Sequence, residues 1–462
     1  MRKDQLSSFP RPVLLTPVLL FLAAGATAAD GPTTAEAERP EGYRLEVSYD
    51  GLKVVEIHPG DAEPAPPERG AEGMAVYGTA PDWQNDLRRQ IGALAVADVN
   101  GDDLQDVVAF CYNSDSFPPY EDWHNMIYYN TGVELEAQPS WISTDEVSTG
   151  DLKVGDFNGD TFPDVFAANG GFSMAPSVIY FGGVGGPSTS PGWSEGGGAT
   201  WTNYAMPFDL DHDDDLDVVT ANQGNSQNDP YRPLRLFLND EGTLATVPAW
   251  QSDETSIQNY LSFGDLDGDG WEDLAVAKWV NFESGVYKNV EGTLQTTPVW
   301  TTGVDGGDKG IGWADVDGDG DPDLALGEDD VTQLFRNDGG TLTLDWTATG
   351  TFFGHNEMRW EDVDRDGDPD LAEVHFSNGV VNVYLNQDGA LDSSPSWSYD
   401  SAGVGTGLAF GDVDGDGMPD LVLGNAGDPS VMVFYNQLES PALIFRDGFE
   451  AGDTSAWSSM AP

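Results

Sequence analysis

Seven nine-residue stretches of the form D-x-D/N-x-D-x-x-x-D punctuate the chain, each running straight into a short apolar segment; the clearest, Gly264 to Ala277, reads GDLDGDGWEDLAVA. Side-chain oxygens at positions 1, 3, 5 and 9, with a backbone carbonyl at position 7, are the donors a loop needs to fold around one hard cation. The seven sets are Asp98, Asn100, Asp102 and Asp106; Asp156, Asn158, Asp160 and Asp164; Asp209, Asp211, Asp213 and Asp217; Asp265, Asp267, Asp269 and Asp273; Asp315, Asp317, Asp319 and Asp323; Asp362, Asp364, Asp366 and Asp370; and Asp412, Asp414, Asp416 and Asp420. At an effective dielectric near 20, two carboxylates about 4 Å apart repel by roughly 4 kcal/mol, so each loop needs a positive occupant. A donor set without Cys or His excludes a zinc-type site. The number of protein oxygens favours calcium over magnesium, which keeps more of its waters. Calcium, up to one ion per loop, is the expected cofactor.

Two other readings compete. Acidic runs are often just solvated, but each ninth aspartate here opens an apolar run such as DVVAF, DLALG or DLVLG, and glycine recurs at positions 4 and 6, where the chain must turn tightly. An EF-hand would want glutamate at position 12. Those positions hold Ala109, Ala167, Thr220, Val276, Leu326, Glu373 and Leu423, and the flanks read as strands. The loops are therefore expected to be calcium-binding β-hairpin loops. Position 6 is glycine in the last four but Asp103, Thr161 and Asp214 in the first three. Because a β-branched residue tolerates positive φ badly and this loop also has one carboxylate fewer, the Asp156 loop is expected to be the weakest site.

The elements that position these loops repeat with them. Successive loops start 47 to 58 residues apart, a period that signals a repeat architecture. A tryptophan precedes every loop by 15 or 16 residues, at Trp83, Trp141, Trp193, Trp250, Trp300, Trp346 and Trp397. An aromatic-x-Asn strand end follows six of them, ending at Asn130, Asn239, Asn289, Asn337, Asn386 and Asn436, whereas the second repeat runs from Tyr180 to Gly182. Each unit reads as a strand into the loop, a strand out of it, a third ending at the asparagine, and a fourth approaching the tryptophan, with Gly-Thr-Leu turns at Gly242, Gly292 and Gly340 between the last two. Four antiparallel strands per unit describe a propeller blade. The fold class is all-β, a seven-bladed β-propeller. The last repeat has no tryptophan of its own and Trp83 has no preceding loop, so the segment Met74 to Trp83 is expected to close the last blade as its fourth strand. The tryptophans are read as inter-blade core.

The chain has 462 residues, a formal charge of −61 and a single cysteine, Cys111. Such a charge argues against nucleic acid and anionic membranes as partners. Basic Arg2 and Lys3, a mostly apolar run from Val13 to Ala24 and the small-residue pattern at Ala26 to Ala28 read as a secretory signal peptide over residues 1–28. No later segment is apolar for long enough to span a bilayer. Secretion suits extracellular calcium modules, whose Kd lies at about 0.1–1 mM. Cys111, in a strand-like run, is read as buried and apolar. Residues 29–73 hold a hairpin over 43–57 and a Pro/Glu-rich linker, the repeats occupy 74–438, and a tail follows at 439–462.

With motifs of the form D-x-D-G-D-G-x-x-D-L preceded by F-G or W-A, residues 74–438 resemble the FG-GAP and VCBS repeats that build the integrin α-type propeller. The resemblance implies a seven-bladed, calcium-bearing propeller with its ions on one face. It carries the metal ligands over position by position, with His212 and Arg365 departing at position 4. It names no partner. The tail IFRDGFEAGDTSAW, Ile444 to Trp457, looks like a short ending found on many secreted bacterial proteins.

Binding is expected on loops away from the ions. The second-to-third connections of the first and third repeats are the long ones, and they contain the ligand candidates Tyr120, Trp123 and His124, and Tyr231 and Arg232. Arg88, Arg89, Lys309, His355 and Arg359 are placed on the same face. The leading reading is a secreted binding or adhesion module for a glycan or extracellular protein. The alternative is a calcium-dependent polysaccharide lyase using His124 with Tyr120, or His355 with Arg359, and a third is a purely structural surface role.

Overall fold

The computed structural model describes residues 37–38, 44–47, 54–57, 75–112, 123–170, 175–196, 201–223, 231–303, 306–307, 310–328, 331–349, 355–376 and 378–438. The stretch 1–28 read as a signal peptide, the Pro/Glu-rich linker, Tyr120, Lys309 and the tail lie outside them. The chain divides into two compact units, Met1–Gly73 and Met74–Pro462. In the first, Ala37–Glu38, Arg44–Val47 and Val54–Ile57 form an antiparallel sheet that contains the expected hairpin.

Every described regular element is a strand, and the second unit is a β-propeller. Five of its sheets are blades. One joins Thr149–Gly155, Asp164–Asn169, Val178–Tyr180 and Trp193–Ser194, and the others follow the same order around the loops at Asp209, Asp265, Asp315 and Asp362. Asn386–Gln387 and Ala390–Leu391 form a small two-stranded sheet, and the remaining strands make one eight-stranded sheet. Arg89–Ala97, Asp106–Cys111, His124–Tyr128 and Trp141–Glu146 surround the Asp98 loop, while Gly405–Gly411, Asp420–Gly427, Val431–Phe434 and the N-terminal Trp83–Gln84 surround the Asp412 loop. Ala426 and Gly427 pair with Gln90 and Arg89, linking the two groups. Trp83 and Gln84 pair with Val433 and Met432, so the start of this unit is hydrogen-bonded to its end.

The second strand of each group is apolar because neighbouring sheets cover both its faces; Asp106–Cys111, Asp164–Asn169 and Asp370–His375 are buried throughout. First strands neighbour one another in chain order, and Gly405–Gly411 lies beside Arg89–Ala97. The tryptophans sit in these seams, as expected. Each packs edge-on against the strand-end aromatic of the following group: Trp83 on Tyr128, Trp141 on Tyr180, Trp193 on Phe237, Trp250 on Tyr287, Trp300 on Phe335, Trp346 on Tyr384 and Trp397 on Phe434, with centroids 5.3–6.5 Å apart. Such pairs add about 0.5–1.5 kcal/mol each beyond their buried area. The F-G before a loop has a packing cause. A Cβ on Gly264 would lie 2.5 Å from the Trp313 ring of the next sheet.

Candidate functional site

The acidic loops join first and second strands, and the sequence preorganises them in three ways. Positions 4 and 6 are left-handed in all seven, with φ of 56–79° at position 4 and 66–101° at position 6. Glycine adopts these angles freely; Thr161, at φ 74°, does so with strain. The first aspartate gathers the turn's N–H groups, as where Asp265 accepts from Gly268, Asp269 and Gly270 at 2.8–3.2 Å. The fifth-position carboxylate accepts the N–H of position 7 in every loop, for example Trp271 to Asp269 at 3.0 Å.

The ninth aspartate is the hinge between loop and sheet. One oxygen accepts the N–H of position 2, at 2.8–3.3 Å across the seven loops. The other accepts the N–H of the strand-end asparagine, or of Gly182 in the second repeat, at 2.6–2.9 Å. Burial pushes Asp106, Asp217, Asp370 and Asp420 up to about 7, and Asp164 and Asp273 to about 6, because the accepted N–H groups only partly offset desolvation. Asp323 also moves up through burial, opposed by the N–H of Asn337 and by the Arg336 guanidinium.

Among the described residues, five loops bring three carboxylates within 4.8 Å of one another. Positions 1, 3 and 5 meet at Asp209, Asp265 and Asp315, and positions 1, 3 and 9 meet at Asp362 and Asp412. The Asp98 and Asp156 loops, with asparagine at position 3, are not among them.

Two features escaped the sequence reading. The strand-end asparagine is a cross-sheet link: its Nδ2 donates to the position-2 carbonyl of the preceding loop, Asn239 to Phe157, Asn289 to Leu210, Asn337 to Leu266, Asn386 to Val316, Asn436 to Val363 and Asn130 to Val413, at 2.7–3.1 Å. Its regular recurrence was the signal, but spacing alone does not say which sheet it reaches. The second feature is the residue just before that asparagine. Lys288 Nζ contacts Asp267 and lies 3.1 Å from Asp269. Arg336 Nη1 lies 2.6 Å from Asp323 and 3.5 Å from Asp317.

The ligand candidates fall in separate sheets. Trp123 is partly buried against the core cluster that holds Ile91, Cys111 and Met126, and His124 Nδ1 lies 3.6 Å from Glu146. Tyr231 is 39 % exposed and packs edge-on against Phe282; the Arg232 backbone bridges Ser256. Cys111 is buried. One placement needs correction. Arg359 is no open-face cation, because it pairs with Glu357 and reaches the Tyr204 hydroxyl at 3.5 Å and the Leu408 carbonyl at 3.4 Å. Its place inside a first strand ties it to other first strands, through the Leu408 carbonyl and the Tyr204 hydroxyl.

Residues 209–276, 315–373 and 362–423 match the FG-GAP-like repeat family. No curated protein sequence matches the chain. Among solved structures, BBS1N in complex with ARL6DN is similar in two crystals. The lead-soaked crystal gives 14 % identity and the mercury-soaked one 12 %, both with a TM-score of 0.53 over 78 % of this chain and 97 % of that one. At that identity the likeness is one of fold.

Proposed function

For a chain that carries FG-GAP-like repeats on a β-propeller, we propose a seven-bladed, calcium-stiffened binding module, exported from the cell, that presents its inter-strand loops to a glycan or an extracellular protein. A count of seven follows if the eight-stranded sheet is two blades zipped at Ala426 and Gly427. Seven tryptophan seams and the succession of first strands support it.

The observation that carries the calcium reading is the convergence of three carboxylates in five loops already turned at positions 4 and 6. The donors are all oxygen, and among the described residues the buried Oδ1 atoms of Asp211 and Asp412 have no hydrogen-bond partner. These residues fit a hard divalent cation. The aspartates and asparagines at positions 1, 3, 5 and 9 would hold it; the ninth can do so because an oxygen accepting one N–H keeps a second lone pair. The ion would neutralise the clustered charge and lock the turns.

Trp123, His124, Tyr231, Arg232 and Tyr120 are the proposed ligand contacts. The exposed Tyr231 ring and the aromatic-rich connections support this, and BBS1N, a similar fold, was crystallised with a protein partner. No helix among the described residues is long and apolar enough to cross a membrane. A glycan array and an extracellular-protein array, probed with the full mature chain in millimolar calcium and in chelator, test the reading. Calcium-dependent binding lost in Trp123→Ala or Tyr231→Ala is expected; binding indifferent to both calcium and these residues would move the site elsewhere.

A further inference from the structure

Five loops carry the same four aspartates, at positions 1, 3, 5 and 9, yet they differ in the residue just before the strand-end asparagine. In chain order it is Leu238, Lys288, Arg336, Leu385 and Tyr435. Its place relative to the loop is fixed, since the next residue's N–H is held by the ninth carboxylate. Two of the five therefore aim a cation at their own acids. We propose that Lys288 and Arg336 are tethered competitors of the divalent ion, making the Asp265 and Asp315 loops weaker sites than the Asp209, Asp362 and Asp412 loops. This rests on reading the loops as divalent-cation sites.

Lys288 touches positions 3 and 5 of its loop through Asp267 and Asp269. Arg336 spans positions 3 and 9 through Asp317 and Asp323. Each places one positive charge among the oxygens an ion needs, and affinity in such loops is set by ligand charge count and rigidity. By contrast, the unpartnered oxygens of Asp211 and Asp412 lie in loops without a tether. The two tethers also differ. A lysine is a single point charge on a flexible stem, and among the described residues the Lys288 ammonium pairs only with acids of its own loop. Arg336 is anchored outside its loop as well, by Asp345 at 3.3 Å and by the Gly389 carbonyl. Swinging it away breaks more contacts, so the Asp315 loop is the weaker of the pair.

Calcium calorimetry on the full chain, stripped of ions, compares wild type with Lys288→Met and Arg336→Met. Each variant should tighten one ion by about tenfold or more, with the larger gain for Arg336→Met. In chelator each should melt below wild type, having lost its internal cation, and each should gain more on calcium addition. If Arg336→Met does not fold, Asp345→Asn, a half-exposed position that only releases the outer anchor, should tighten the same loop by a smaller factor. Uptake by wild type with unchanged isotherms in all folded variants would overturn the proposal and leave the metal reading standing. Absence of uptake by every protein would overturn both.

Discussion

Two seams of the propeller solve the same packing problem differently. Where the Asp412 group meets the Asp98 group, Asn130 donates to the Val413 carbonyl at 2.7 Å, Asn85 donates to the Tyr128 hydroxyl at 2.8 Å, and Ala426 and Gly427 pair with Gln90 and Arg89. Where the Asp98 group meets the Asp156 group, Gly182 stands at the asparagine position. Its backbone N–H still reaches Asp164, but no side chain is left to hold the loop behind it. A Cβ at Gly182 would lie 2.4 Å from the Pro163 carbonyl oxygen, so the backbone has no room for asparagine. That seam relies instead on fourth-strand contacts: Trp141 Nε1 to the Pro187 carbonyl, Thr144 N–H to the Thr189 carbonyl, and Tyr180 to Asp145, each at 2.8 Å. The joint between first and last groups is thus bonded at the acidic loops as well as at its edge, whereas an internal seam is bonded at its edge and not through its loop. Sequence continuity and mechanical continuity are different things in a closed ring.

Removing the ions should separate the two seams most. Six loop-bound asparagines hold carbonyls that belong to the acidic turns, so emptying the loops should loosen six seams and leave the Gly182 seam least altered. At ten times Kd each filled site adds about 1.4 kcal/mol, so seven contribute on the order of 10 kcal/mol if the unfolded chain binds none. Calorimetric melts in millimolar calcium and in chelator check this, and an unchanged melt would contradict it. The ninth aspartates add a pH signature. Their folded pKa values, about 6 to 7, exceed the unfolded value near 3.9. The stability they contribute is complete below about pH 4 and is lost as pH rises through about 6 to 7. Chelated protein should therefore melt lower at pH 8 than at pH 5. Calcium, which favours the charged form, should flatten that slope and release protons on binding between these limits.

Much of this was legible because repetition averages out local ambiguity. Seven aspartates at position 1, seven tryptophans before them and alternating turn glycines fix the hairpin, the strand order and the N-to-C closure without long-range information. What stayed hidden depends on distance across sheets. Nothing local says that Asn337 reaches Leu266, or that Arg336 is drawn to Asp323 where Leu238 has no charge to offer. Arg359 was misplaced for the same reason: a charged residue in a strand suggests a surface until Glu357 on its own strand and Tyr204 and Leu408 on other first strands are seen to engage it. Among the ligand candidates, sequence flagged long connections, but connection length does not tell how far each aromatic is buried, as with the partly buried Trp123.

Truncating the seam aromatics should be the largest single-residue effect. Trp141→Ala and Trp397→Ala each empty a pocket that holds an edge-on ring and break an indole N–H bond, to Pro187 and Gly78 respectively. A loss of about 3–5 kcal/mol is expected for each. The comparison sharpens if Trp141→Ala costs more, because its seam has no asparagine link to fall back on. Equal losses in urea titrations of the calcium-loaded proteins would mean that the loop-side link bears little of the load.

The smallest effect isolates the links themselves. Asn130→Ala strands the Val413 carbonyl in a buried site, a loss of about 1–3 kcal/mol. Tyr180→Phe removes one hydrogen bond to the partly exposed Asp145, a loss of about 0.5–1.5 kcal/mol. Their positions should matter more than their sizes. Amide exchange in calcium should speed up near Val413 in the first variant and around Val178–Tyr180 in the second, each without spreading to the other seam. Chelation should then erase most of the difference between Asn130→Ala and wild type, because a slackened loop no longer holds its carbonyl in place. It should leave the Tyr180→Phe difference intact, because that bond never touches a loop. If chelation instead erases both differences, the edge contacts depend on the ions too, and the two seams are one cooperative unit.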